Sequence, residues 1–217
     1  MKHILCFGDS NTYGLNPGWM SGEPLRHDIS VRWTGRLQKK LGDEYRIIEE
    51  GLNGRTTVFE SPLSPGRSGV AHFSVCVESH LPLDVIIIML GTNDTLSSVN
   101  VSPSQIAMGI SRLVKVAQDP FLYAPGTKPP KLLIVAPVPI GEDALKLPDG
   151  ITDKAAIEKS HMLAEKYRQT AKLLGCEFLD LAPVARTAPG EGVHLNAEAH
   201  EAIASAMAEK LLTMADS

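Results

Sequence analysis

Val85-Ile86-Ile87-Ile88-Met89-Leu90-Gly91-Thr92-Asn93-Asp94 is the stretch from which the rest of the chain is read. Its first six residues are all apolar and mostly β-branched. A strand with one wet face alternates apolar and polar residues, so a run with no polar position must be covered on both faces. Gly91 and Asn93-Asp94 then break the run with turn chemistry. A strand covered on both faces belongs to a parallel sheet flanked by helices.

Working outward, Lys2–Phe7 and Tyr45–Glu50 read as strands on the upstream side, and Leu132–Ala136 and Glu177–Leu181 on the downstream side. Helices fall between them. Arg32–Leu41 spaces Trp33, Leu37 and Leu41 helically, and Val70–His80 is a helix stopped by Pro82. Ser102–Gln118 puts Ile106, Ile110, Leu113 and Val116 on one side. Thr152–Leu174 is a long helix with a charged outer face, and Asn196–Leu212 is the last. Gly51–Ser68, Asp119–Pro130 and Pro137–Gly150 read as loops. This alternation predicts an α/β fold, a three-layer α/β/α sandwich on a five-stranded parallel sheet, with residues 1–217 as one domain. In such sheets ligands bind beyond the carboxyl ends of the strands, where strand order reverses. The loops after strands one, two, three and five are therefore expected to share one site.

Composition narrows the function. The 21 Lys+Arg against 25 Asp+Glu give a net charge of -4, which offers no basic surface for nucleic acid. A small-molecule partner fits better. The apolar run Ile4–Phe7 is too short for a signal-peptide core, and no apolar stretch approaches the ~20 residues of a membrane helix. The three cysteines, Cys6, Cys76 and Cys176, are odd in number and far apart, which predicts a reducing cytoplasm and no disulfide framework. Cys6 and Cys176 are expected to be buried as small hydrophobes. The seven histidines are scattered, without His-Glu-x-x-His or Cys-x-x-Cys, so no metal is expected. Neither a phosphate-binding Gly-Lys-Ser/Thr nor a Gly-x-Gly-x-x-Gly follows strand one, so no cofactor is expected either.

Four loops carry the chemistry. Gly8-Asp9-Ser10-Asn11-Thr12 holds a serine on a tight turn after strand one, where backbone N–H groups can meet a developing oxyanion. A plain helix-capping turn reads the same way. Gly51-Leu52-Asn53-Gly54-Arg55-Thr56-Thr57 after strand two gives the backbone close access to a ligand, or simply turns. Asn93 after strand three is a neutral amide donor, or the start of an Asx turn. Glu191-Gly192-Val193-His194 precedes the last helix. An acid three residues before a histidine, with glycine between, can meet one imidazole nitrogen and leave the other for Ser10. A solvated Glu beside a helix-start His is the other reading. Asp180, at the end of strand five, is a rival for the acid.

Together the four loops resemble the SGNH (GDSL-like) hydrolase family, whose blocks carry Ser, Gly, Asn and His in this order. Gly8-Asp9-Ser10 and Gly91-Thr92-Asn93-Asp94 match residue for residue. Ile4–Ser10, Arg32-Trp33-Thr34-Gly35, Glu49–Thr57 and Leu81–Thr95 look like its bacterial arylesterase and acyltransferase branch, which acts on small esters. The resemblance implies a flavodoxin-like SGNH fold with Ser10 as nucleophile, His194 as general base and Glu191 as the acid, where the family usually has Asp. It implies an oxyanion hole from the N–H of Ser10, the N–H of Gly54 and the amide of Asn93. It also implies a small ester substrate with a short acyl group, acyl transfer as a second outlet, and a homo-oligomer. A catalytically idle binding module on the same fold is the alternative, favoured by Glu191 alone. The loops Gly14–Ser30, Thr57–Ser68 and Pro137–Gly150 are expected to build the pocket. Leu15, Trp19, Phe59 and Pro139 are candidates for its wall, though ordinary loop packing accounts for each equally well.

Overall fold

A computed structural model describes residues 1–147 and 152–215. The chain runs through β1 (Lys2–Gly8), a helical turn α1 (Ser10–Tyr13), α2 (Trp33–Leu41), β2 (Tyr45–Gly51), α3 (Val70–Ser79), β3 (Val85–Met89) and α4 (Pro103–Ala117). It continues through β4 (Lys131–Ala136), α5 (Lys154–Leu174), β5 (Glu177–Asp180) and α6 (Ala197–Ala215). All strand pairs are parallel, in the order β2-β1-β3-β4-β5. The chain winds outward from β1 to β2, then returns past β1 to β3 and onward. The reversal puts a crevice between β1 and β3, at their carboxyl ends.

Alternation along each strand divides the core in two. Ile4, Cys6, Ile87, Met89, Leu133 and Val135 face α2 and α6, where Trp33, Leu37, Ile203 and Met207 meet them. Leu5, Phe7, Ile86, Ile88, Leu132 and Ile134 face α3, α4 and α5, against Phe73, Ile110, Leu113 and Tyr167. All five residues of β3 are buried, because it has a strand on each side and helices on both faces. That position explains its unbroken apolar run. Each such buried Ile stabilises the fold by about 1.5–3 kcal/mol. β2, at the edge, has no fully buried residue and carries Glu49 and Glu50.

Caps explain where the helices depart from the sequence-based bounds. The Asp153 side chain accepts from the N–H of Ala156 at 2.8 Å, so α5 starts after it rather than at Thr152. Asn196 accepts from the N–H of Ala199 at 3.0 Å and lies just outside α6. Such caps are worth about 1 kcal/mol each. α6 also runs on past Leu212 to Ala215.

Cys6 is buried as expected, whereas Cys176 is only partly so, because it sits on the rim of the core where α5 hands over to β5. The Pro137–Gly150 loop contains a 3-10 turn, Glu142–Lys146, and its positions 148–150 lie outside the described residues. Among the described residues no helix is long and apolar enough to cross a membrane.

Candidate active site

Gly8 ends β1, in register with Gly51 of β2 and Met89 of β3. The next residue, Asp9, accepts the N–H of Asn11 at 3.0 Å and so starts α1. Ser10 is the first residue of that turn and only 6% exposed. A backbone N–H at this position has no acceptor within the helix. The turn is pinned from the α2 side, where the Trp33 indole N–H donates to the Asn11 carbonyl at 3.1 Å.

The loop before α6 brings in the acid and the histidine. Glu191 folds back so that Oε1 lies 2.6 Å from His194 Nδ1, while Oε2 accepts the N–H groups of Val193 at 2.8 Å and His194 at 2.6 Å. The fold-back depends on Gly192, whose φ is +83°. A Cβ there would sit 2.3 Å from the Ala144 nitrogen and 3.0 Å from the Gly141 carbonyl, so no side chain fits. This bend absorbs the methylene by which Glu exceeds Asp. His194 Nε2 lies 3.1 Å from Ser10 Oγ. With a carboxylate at Nδ1, the proton belongs on Nδ1 and Nε2 offers its lone pair to the Ser10 hydroxyl. Burial pushes the Glu191 carboxyl up, but the hydrogen bonds and charge of His194 and the two backbone donors outweigh it and hold it below its ordinary value.

Asp180 goes elsewhere. It accepts the N–H of Ala182 at 2.9 Å and lies 3.8 Å from an Arg168 nitrogen, which makes it a cap for the turn after β5. Of the two acids, Glu191 is the one placed against the imidazole.

The loops after β2 and β3 meet on the other side of Ser10. Asn93 Nδ2 donates to the Arg55 carbonyl at 3.0 Å. Asp94 accepts the Thr57 N–H at 2.9 and 3.0 Å and the Thr57 hydroxyl at 2.5 Å, tying the two loops together. Ser10, Gly54, Asn93, Glu191 and His194 all line one cavity of about 280 Å³. Leu15 and Trp19 form part of its wall. Phe59 and Pro139 do not. The Phe59 carbonyl instead accepts the Thr56 hydroxyl, and Ile140, beside Pro139, reaches the cavity in its place. Met20, Leu63, Leu96, Leu147 and Val193 also contribute to the apolar wall.

The sequence reading missed three buried charged residues around the site, Asp9, Asp94 and Arg55. For Asp9 and Asp94 the signal was position, since each lies in a loop that continues from a buried apolar strand, β1 or β3. Arg55 follows the edge strand β2, which has no fully buried residue, and gave no such signal. Burial pushes Asp9 up to about 6, against the downward pull of the Asn11 N–H, His194 and Arg55. Burial likewise pushes Asp94 up to about 6, against the hydrogen bonds of Thr57. Between about pH 4 and 6 the folded protein therefore keeps protons that the unfolded chain has released. Stability from these groups is full below that window and falls as pH rises through it. Glu191, held low, acts in the opposite sense and at lower pH. Asp9→Asn is expected to keep the cap on Asn11 and flatten this fall, seen as a shallower slope of Tm against pH in thermal melts. An unchanged slope would refute the assignment.

Comparisons with known proteins cover nearly the whole chain. The GDSL-like lipase/acylhydrolase family matches residues 6–202. Est24, a carbohydrate acetylesterase from Sinorhizobium meliloti, is 36% identical with a TM-score of 0.91, over 99% of this chain and 100% of that one. The aryl esterase of M. smegmatis is 35% identical with a TM-score of 0.90, over 98% of this chain and 99% of that one. A comparison with curated protein sequences finds no match.

Proposed function

The chain belongs to the GDSL-like lipase/acylhydrolase family and is a carboxylic ester hydrolase, and from that premise we propose that it is a serine esterase acting on small esters of short carboxylic acids. The observation that carries the proposal is the relay from Glu191 through His194 to Ser10, with contacts of 2.6 and 3.1 Å. Ser10 Oγ attacks the ester carbonyl while His194 Nε2 takes the hydroxyl proton. Glu191 steadies the imidazolium that results. The carbonyl oxygen becomes negative and is met by the N–H groups of Ser10 and Gly54 and the amide of Asn93. His194 returns the proton to the departing alcohol, leaving an ester between the acyl group and Ser10. Water, activated by the same histidine, releases the acid. A second alcohol in place of water completes an acyl transfer.

The reading as an idle binding module drew on the glutamate at position 191. The hydrogen bonds Glu191 makes support a working acid instead. The size of the cavity supports a short acyl group, since pockets for drug-sized ligands start near ~300 Å³ and this one, at about 280 Å³, must also admit the alcohol. On 4-nitrophenyl esters, kcat/KM is expected to fall at least about tenfold from acetate to decanoate, because a cavity of about 280 Å³ that also admits the alcohol has little room for the added methylenes. Faster turnover of the decanoate would sink the short-acyl assignment.

A further inference from the structure

Arg55 is only 4% exposed, and none of the steps above uses it. Its Nη1 donates to the Gly8 carbonyl at 2.9 Å and also to the Glu50 carbonyl. Its guanidinium carbon lies 4.0 Å from the centre of the Phe7 ring. Gly8 ends β1 two residues before Ser10, and Glu50 leads into the loop that carries Gly54. The main-chain carbonyl of Arg55 itself accepts the Asn93 amide at 3.0 Å. One residue thus contacts or adjoins every segment that supplies an oxyanion donor.

We infer that Arg55 is a positioning residue for the oxyanion hole: its buried guanidinium sets the spacing between the N–H of Ser10, the N–H of Gly54 and the amide of Asn93. The inference rests on the serine mechanism proposed above. A flat guanidinium can bond strand-end carbonyls while lying on an aromatic ring. Lysine is a point charge without that plane, so it keeps the charge and loses the fit. Losing the guanidinium would leave the Gly8 carbonyl its bond from the Leu52 N–H at 3.1 Å but remove the side-chain bonds that tie β1 and β2 to Arg55, and the loops would shift with them. Oxyanion donors act through alignment with a transition state, so a shift of this kind lowers kcat far more than it raises KM.

The test compares Arg55→Lys and Arg55→Met with the wild type on 4-nitrophenyl acetate, with rates expressed per active site titrated by diethyl 4-nitrophenyl phosphate. Arg55→Lys retains the buried charge and so guards against a collapse of the fold in Arg55→Met. Both variants are expected to lose roughly 10–100-fold in kcat, less than the 10²–10³ for deleting a donor outright, with KM within about threefold. Phenylboronic acid, which forms a tetrahedral adduct on an active serine, is expected to bind more weakly by the same factor as the loss in kcat/KM. A merely structural arginine would lower the number of titrated sites and leave kcat per site unchanged, which would overturn the inference. Near-native kcat in Arg55→Lys would assign the effect to charge and overturn it too, as would a loss of kcat with unchanged boronate affinity. A wild type that takes neither the phosphate label nor the boronate overturns the serine mechanism, and this inference falls with it.

Discussion

Ser10→Ala is expected to lower kcat on 4-nitrophenyl acetate by on the order of 10⁶, with the fold intact. The variant keeps every backbone donor and loses the one atom that forms the bond to the acyl carbon. Ser10 Oγ makes a hydrogen bond to His194 at 3.1 Å, so its removal should cost stability only on the scale of one such bond, about 0.5–1.5 kcal/mol. Alanine is also well tolerated at the start of a helical turn. His194→Ala should fall as far, since a serine hydroxyl without its base is a poor nucleophile at neutral pH. The two losses belong to one unit, so the double variant should be no slower than either single one. Stopped assays for residual hydrolysis, with circular dichroism melts beside them, check both halves. Near-native turnover in either folded variant would end the proposed mechanism.

The parts of this protein that were legible in its sequence are those governed by short-range pattern. β3 announced itself because a strand between two others, covered on both faces, has no position left for a polar residue. Glu191 and His194 could be paired because three residues with a glycine between them leave few conformations. The cavity wall was harder. Loop residues follow no period, so nothing in the sequence separates Pro139, which stays out, from Ile140, which reaches in. The helical turn Ser10–Tyr13, 4 residues long, is far shorter than the window of about 11–18 residues over which helical periodicity shows. Arg55 was illegible for a different reason. A charged residue in a glycine-containing loop is ordinarily solvated, and its burial follows from carbonyls contributed by β1 and β2, which are joined only in the fold.

Glu191→Gln should slow the enzyme by about 10⁴, the cost of removing the acid in well-studied triads, and less than loss of the serine or histidine. The carboxylate presents one oxygen to Nδ1 and the other to two backbone N–H groups. Glutamine can keep only one of these arrangements. If its oxygen stays on the N–H groups of Val193 and His194, its NH₂ faces Nδ1 and donates to it. The imidazole proton then moves to Nε2, which can no longer accept from Ser10. The protein stays folded because the backbone contacts survive, and kcat falls because the tautomer is wrong. Glu191→Asp tests the geometry rather than the charge. The chain cannot follow the shorter side chain, since Gly192 is wedged against Ala144 and Gly141. Its carbonyl is also held by the Gly141 N–H at 2.8 Å. Restoring the residue usual in the family should therefore give only partial activity. Asp180→Asn should leave kcat nearly unchanged and lower Tm only slightly, because asparagine still accepts the Ala182 N–H but loses the charge that faces Arg168 at 3.8 Å. Most activity retained in Glu191→Gln, with a folded Asp180→Asn inactive, would exchange the two roles despite the 2.6 Å contact between Glu191 and His194.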